Sequence, residues 1–123
     1  MLNLISTWPL KNGCPQELLN VLNAMPAKII AGEIGAISYA INFPANNPMS
    51  EASTLSCTTK ADVSEIVFVE SYADVSAFKA HLNGPLFTAF REQNLQYFKE
   101  DPTKPGWPIT QTVFLDPIAS QHK

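Results

Sequence analysis

His81 is the side chain of this 123-residue sequence best suited to move a proton. Imidazole alone among unperturbed side chains titrates near neutral pH, and the second histidine, His122, stands in a polar tail. His81 follows Phe78 by three residues and adjoins Leu82, on the flank of an apolar helical stripe, from which it can look toward a sheet. It is either a base or proton shuttle, or a histidine hydrogen-bonded to Glu70 or a backbone carbonyl to fix the helix. Glu70 shares one face of the segment EIVFVESY with Ile66, Phe68 and Tyr72. A carboxylate among apolar neighbours needs a raised pKa or a partner. It either orients His81 or receives a proton, or it sits at the sheet's edge, paired with a lysine or a helix N-terminus. Tyr72 and Trp8 combine an apolar body with a polar tip, which suits a ring-shaped ligand and equally suits a core. Arg91, at helical spacing from Phe87 and Phe90, either holds an anionic group or lies on a solvated flank. Trp107, between Gly106 and Pro108, either lids a pocket or pins the strand that follows.

Other chemistries find no support. Nothing resembles the glycine-rich loops that cradle nucleotide phosphates, and no HExxH or GxSxG motif occurs. Cys14 and Cys57 have no neighbouring histidine, so no zinc pattern can be built. They read as two isolated thiols of an intracellular protein, with one disulfide as the alternative. The net charge is −3 and Arg91 is the only arginine. Arginine is the preferred fork for phosphate and guanine edges, so no nucleic-acid partner is expected. The N-terminus lacks the basic start and apolar run of a secretory signal. No apolar stretch approaches the roughly 18 residues of a membrane span. A cytoplasmic protein without membrane contact is expected.

The elements that must position these residues follow from pattern. The length fits one domain over residues 1–123. Leu2 to Leu10 alternates as a strand with Leu2, Leu4, Ser6 and Trp8 on one face. Lys11-Asn12-Gly13 is a turn, and Pro15 opens a helix striped by Leu18, Leu22 and Met25. Pro26 kinks or ends it. A second strand sets Ile37, Tyr39, Ile41 and Phe43 on one side. Residues 44–64 are a long polar loop, unless STLSCTT adds a short strand. Glu65 to Tyr72 is the third strand, with Val67 and Val69 on its other face. Asp74 caps a helix bearing Val75, Phe78 and Leu82 on its apolar side. Gly84-Pro85 breaks it and restarts a helix carrying Leu86, Phe87, Phe90, Tyr97 and Phe98. A connector rich in proline leads to a last strand, Ile109 to Leu115, and a polar tail at 117–123.

The order β-α-β-β-α-β specifies an α+β, ferredoxin-like domain: a four-stranded antiparallel sheet with its helices on one face. The other face, with Val67 and Val69, is left bare, so a homodimer is expected.

The stretch IVFVESYADVSAFKAHLNGPLFTAF resembles the antibiotic biosynthesis monooxygenase (ABM) domain, a dimeric α/β-barrel family. The resemblance rests on a strand ending in Glu70 and Tyr72, the cap Asp74, then Phe78 and His81 on a helix. The Gly84-Pro85 break and Phe87 and Phe90 complete it. A weaker match covers GEIGAISYAINFP, where Glu33-Ile34-Gly35 stands in place of a Glu-Pro-Gly turn. The resemblance implies oxygen chemistry on a small aromatic molecule (quinol, phenol or anthrone), with no metal or other cofactor. The substrate itself is then the electron source, and the protein supplies an aromatic-lined pocket and a proton acceptor. On this reading His81, Glu70 and Tyr72 are catalytic, and Trp8, Phe68, Phe78, Phe87 and Arg91 contact the substrate. Two alternatives stand beside it: a non-catalytic ligand-binding or structural barrel, and haem binding or degradation. The last is disfavoured because Tyr72 occupies the tryptophan position of haem-degrading relatives and their helix histidine falls near Arg91.

Overall fold

The computed structural model describes residues 1–46, 61–121 and 123. The possible STLSCTT strand, Cys57 and His122 lie outside the described residues. Strand β1 (Leu2–Pro9) is followed by helix α1 (Gln16–Gly32), β2 (Ala36–Asn42) and β3 (Glu65–Tyr72). Helices α2 (Val75–Asn83) and α3 (Pro85–Asn94), a 3-10 turn at Leu95–Tyr97 and β4 (Gln111–Leu115) complete the chain. The sheet order is β2-β3-β1-β4 with every neighbouring pair antiparallel, which is the expected ferredoxin-like arrangement. Strand β3 thus lies between β1 and β2, which run parallel to each other.

Alternation determines which side chains enter the core, because strand side chains point to opposite faces. Leu4, Ser6 and Trp8 of β1 are buried, and so are Ile66, Phe68, Glu70 and Tyr72 of β3. The register sets Leu4 opposite Glu70 and Trp8 opposite Ile66, so the two central strands share one inward face. Trp8 is the hub of the core. Its ring centroid lies 4.8 Å from that of Phe68, 5.2 Å from Phe98 and about 6 Å from Phe87 and Phe90.

Helix α1 does not end at Pro26 but continues through it to Gly32. A mid-helix proline loses one hydrogen bond and strains a turn, at a cost of ~3 kcal/mol. Leu18, Leu22, Met25 and Ile29, all buried on one stripe, offset it. Strand β2 also departs from simple alternation. Its pairing steps from Ala36 opposite Tyr72 to Ser38 opposite Ser71, a bulge that sets two residues against one. Ile37 is thereby turned outward and is 52% exposed, while Tyr39 is buried.

Asp74 caps α2 as expected, accepting from the Ala77 N–H at 2.8 Å. The buried residue of that helix is His81, whereas Val75 is exposed. The apolar stripe is therefore rotated from Val75 toward His81. Close packing of α2 on the start of β2 requires Gly35, where any Cβ would overlap the Cβ of Ala77. The last helix ends at Asn94, so Tyr97 and Phe98 lie beyond it. Residues 109 and 110 precede β4 and are not part of it.

Candidate active site

A cavity of about 470 Å³ opens between the sheet and the layer formed by α2, α3 and the 98–110 connector. Leu4, Ser6 and Trp8 supply its floor from β1, with Glu70 beside them from β3. Phe78, His81 and Leu82 wall it from α2, and Phe87 from α3. Trp107, Asp101 and Lys104 close the connector side, and Thr112 and Phe114 reach it from β4. The lining is mainly apolar, with a titratable cluster at one end. That is the arrangement expected of a small-molecule site.

The cluster is built around His81. Its Nδ1 lies 2.7 Å from Oε1 of Glu33, and its Nε2 lies 3.8 Å from Oε1 of Glu70. The same Glu70 oxygen accepts the Tyr72 hydroxyl at 2.6 Å. Four aromatic rings surround the imidazole, those of Phe87, Tyr72, Tyr39 and Phe78, with centroids 5.0–6.3 Å away. This enclosure controls the protonation states. Burial pushes the imidazole below its ordinary pKa of 6.5, with Glu33 partly opposing the shift. Burial also raises the Glu70 carboxyl from 4.5 to about 7, although the Tyr72 hydrogen bond pulls the other way. The Tyr72 and Tyr39 hydroxyls are held well above their ordinary range by burial, reinforced by the neighbouring carboxylates. At neutral pH the cluster therefore contains an uncharged imidazole and a carboxyl poised between its two forms, both suited to exchanging protons with a ligand.

Glu70 links this chemistry to stability. A folded-state pKa above the unfolded value means that the native protein binds the extra proton. Its stabilisation is full below about pH 4.5 and is lost as pH rises through about 7. His81 acts in the opposite sense, costing stability as pH falls below 6.5. Glu70→Gln keeps an acceptor for Tyr72 and removes the first titration. Urea unfolding at pH 8 should show the variant gaining on the parent by up to about 3 kcal/mol, a gain that vanishes near pH 4.

Of the residues the sequence singles out, Trp8, Phe78, Phe87, His81 and Glu70 line the cavity. Glu70 lies on an inner strand between β2 and β1, not at a sheet edge. Three candidates stand elsewhere. Phe68 is in the core, and Tyr72 is fully buried behind Glu70, which it touches in place of the cavity. Arg91 does not line the cavity. Its guanidinium stacks over the Trp107 ring at 4.3 Å and donates to the Gly106 carbonyl at 2.8 Å. Arg91 thus holds the wall and does not contact what the wall encloses. Trp107 lines the cavity, and its backbone bonds Asp101 and Lys104 within the connector.

The connector is locally self-bonded. The Asp101 N–H donates to the Trp107 carbonyl at 2.9 Å, and the Trp107 N–H to Lys104 at 3.0 Å. Gly106 has φ +83°, which a side chain would strain. Ser6 is a buried polar group with its needs met. It accepts from Trp8 Nε1 at 3.0 Å and pairs with the Thr112 hydroxyl at 2.8 Å.

Glu33 is the site residue that sequence reasoning missed. It was visible only as part of the Glu33-Ile34-Gly35 turn, and no spacing rule joins it to a histidine 48 positions away.

No protein-family model and no curated protein matches the sequence. Solved structures do match. A Pseudomonas aeruginosa protein superposes with a TM-score of 0.66 at 19% identity, covering 96% of this chain and 94% of its own. A Mycobacterium tuberculosis protein gives 0.65 at 20% identity, covering 98% of both chains. A structure described as an antibiotic biosynthesis monooxygenase gives 0.61 at 16% identity, covering 97% of this chain and all of that one. At such identities the likeness concerns architecture, and the chain has the fold of an antibiotic biosynthesis monooxygenase.

Proposed function

We propose that this protein is a monooxygenase that oxidises a small electron-rich aromatic, of quinol, phenol or anthrone type, with O₂ and without a cofactor. The observation that carries the reading is the apolar cavity ending at His81 and Glu70. A packed structural module would leave no such space. Trp8, Phe87 and Trp107 offer ring faces and edges to a flat ligand. A hydroxyl placed at the far end meets the uncharged imidazole, which takes its proton. The resulting anion passes one electron to O₂, and the two radicals recombine. One oxygen atom stays on the ring carbon as a carbonyl and the other leaves as water, so four electrons pass from substrate to O₂.

Oxygen uptake by metal-stripped protein, measured against a panel of quinols, phenols and anthrones, tests the proposal. Stoichiometric uptake with quinone formation supports it. Saturable binding of the same molecules without uptake replaces it with a ligand-binding role, and a Soret shift on titration with haem replaces it with haem chemistry.

The same proposal includes a homodimer formed through the outer sheet face. One row across all four strands there is apolar: Ala40, Val69, Ile5 and Val113 lie in register. Val69 and Val113 are 41% and 58% exposed. Such a row loses contact with water when a second copy covers it. Light scattering should give twice the chain mass for the parent and the chain mass for Val69→Lys. A parent that stays monomeric at micromolar concentration overturns the dimer.

A further inference from the structure

We infer that Glu33 is the positioning residue of the site: it holds His81 in the tautomer with the proton on Nδ1, leaving Nε2 bare toward the cavity. The inference rests on the reading of His81 as the base and extends it to a residue outside the cavity lining.

The backbone prepares Glu33 for this role. It is the first residue past α1, with its N–H bonded to the Ile29 carbonyl at 2.9 Å and its own carbonyl accepting from Ala36 at 3.2 Å. Fixed at both sides, it projects its side chain across to α2, where Gly35 permits the close approach that brings His81 within reach. Its Oε1 meets Nδ1 at 2.7 Å, a charge-assisted hydrogen-bond distance. The second oxygen, Oε2, is buried and has no partner among the described residues. The imidazole is thus the main group stabilising this carboxylate, which ties the histidine proton to Nδ1 and not to Nε2.

On the other side of the ring, the 3.8 Å between Nε2 and Glu70 is too long for a direct hydrogen bond. Nε2 is left with its lone pair unclaimed. When it takes a proton from a ligand, the resulting imidazolium is flanked by Glu33 from the α1–β2 turn and by Glu70 from β3. Tyr72 and Tyr39 are the other titratable groups against the ring, from β3 and β2. Both stay protonated and add no charge. A carboxylate that orients a histidine and steadies its charged form is the arrangement that serves a general base.

Two measurements test the inference. The first is the ¹⁵N spectrum of imidazole-labelled protein at neutral pH, which needs no substrate. The parent should show His81 protonated at Nδ1 and bare at Nε2, and Glu33→Gln should show a mixture or the reverse. A parent with the proton on Nε2 overturns the inference. The second uses whichever panel aromatic supports oxygen uptake. Glu33→Gln should lower kcat about 100-fold with KM little changed, because orientation is lost and binding is not. Its acid limb should also move to lower pH, since Glu33 raises the imidazole pKa and its removal lets burial act alone. An unmoved limb, or a rate within threefold of the parent, overturns it. If no aromatic supports uptake, the proposed reaction fails while the tautomer assignment stands or falls on the spectrum.

Discussion

On the proposed mechanism, replacing His81 with glutamine should lower oxygen uptake by about 10²- to 10⁴-fold, the usual worth of a positioned general base. Glutamine is close in size and can still bond Glu33, so the helix and the cavity persist. What it cannot do is accept a proton. The expected signature is therefore a fall in kcat with KM held near that of the parent. Alanine at the same position is a poorer probe. It opens a hole among four aromatic rings and strands the Glu33 carboxylate without its hydrogen-bond partner, which confounds stability with chemistry. An oxygen-electrode assay of parent and His81→Gln, run with the best substrate of the panel, decides the matter. Equal rates would remove His81 from the mechanism. Glu70 would then be the base, because its carboxyl lines the same end of the cavity and titrates at about 7.

Trp8→Ala should cost about 3–5 kcal/mol of stability. The indole is 4% exposed and packs against Phe68, Phe87, Phe90 and Phe98. These rings come from β3, from α3 and from the segment beyond it, so alanine removes the contact at which sheet and helices meet. The cavity already present on one side lets the surroundings collapse only in part. A domain of this size has about 5–15 kcal/mol in hand, so the variant should be near or past the edge of folding. Trp8→Phe keeps most of the packing and loses the Nε1–Ser6 hydrogen bond, for about 1–2 kcal/mol. Urea midpoints for the two variants, compared with the parent, check the order. If Trp8→Ala costs less than Trp8→Phe, the indole is not the hub that the contacts describe.

Much of this was legible in the chain before any coordinates. Period-two patterning identified the inward faces of β1 and β3, because parity along a strand fixes which side chains share a face. It set Trp8 on one face of β1 and Glu70 on one face of β3, and the sheet register turns both faces inward. Proline-85 and Asp74 marked the helix starts through local backbone chemistry. Other features had no local signal. The bulge at Ala36 and Ser38 inverts the parity of Ile37 and is decided by pairing with β3. Pro26 reads as a kink or a stop because local cost is visible in sequence while the burial that offsets it is not. Arg91 looked like a ligand contact because charge near aromatics is ambiguous until one knows which ring it covers. Glu33 and His81 lie 48 residues apart and meet only through tertiary packing.

The cavity draws its walls from two kinds of chain. His81 and Glu70 are embedded in α2 and in an inner strand, where both are buried. Asp101, Lys104 and Trp107 belong to a connector that bonds mainly to itself and is tethered by Arg91. Substitutions at His81 or Glu70 therefore act on buried groups. In the connector Trp107 packs against the core, whereas Lys104 is exposed. On the proposed function, changes in the connector's length, charge or ring content would alter which molecule the cavity accepts while leaving His81 and Glu70 in place.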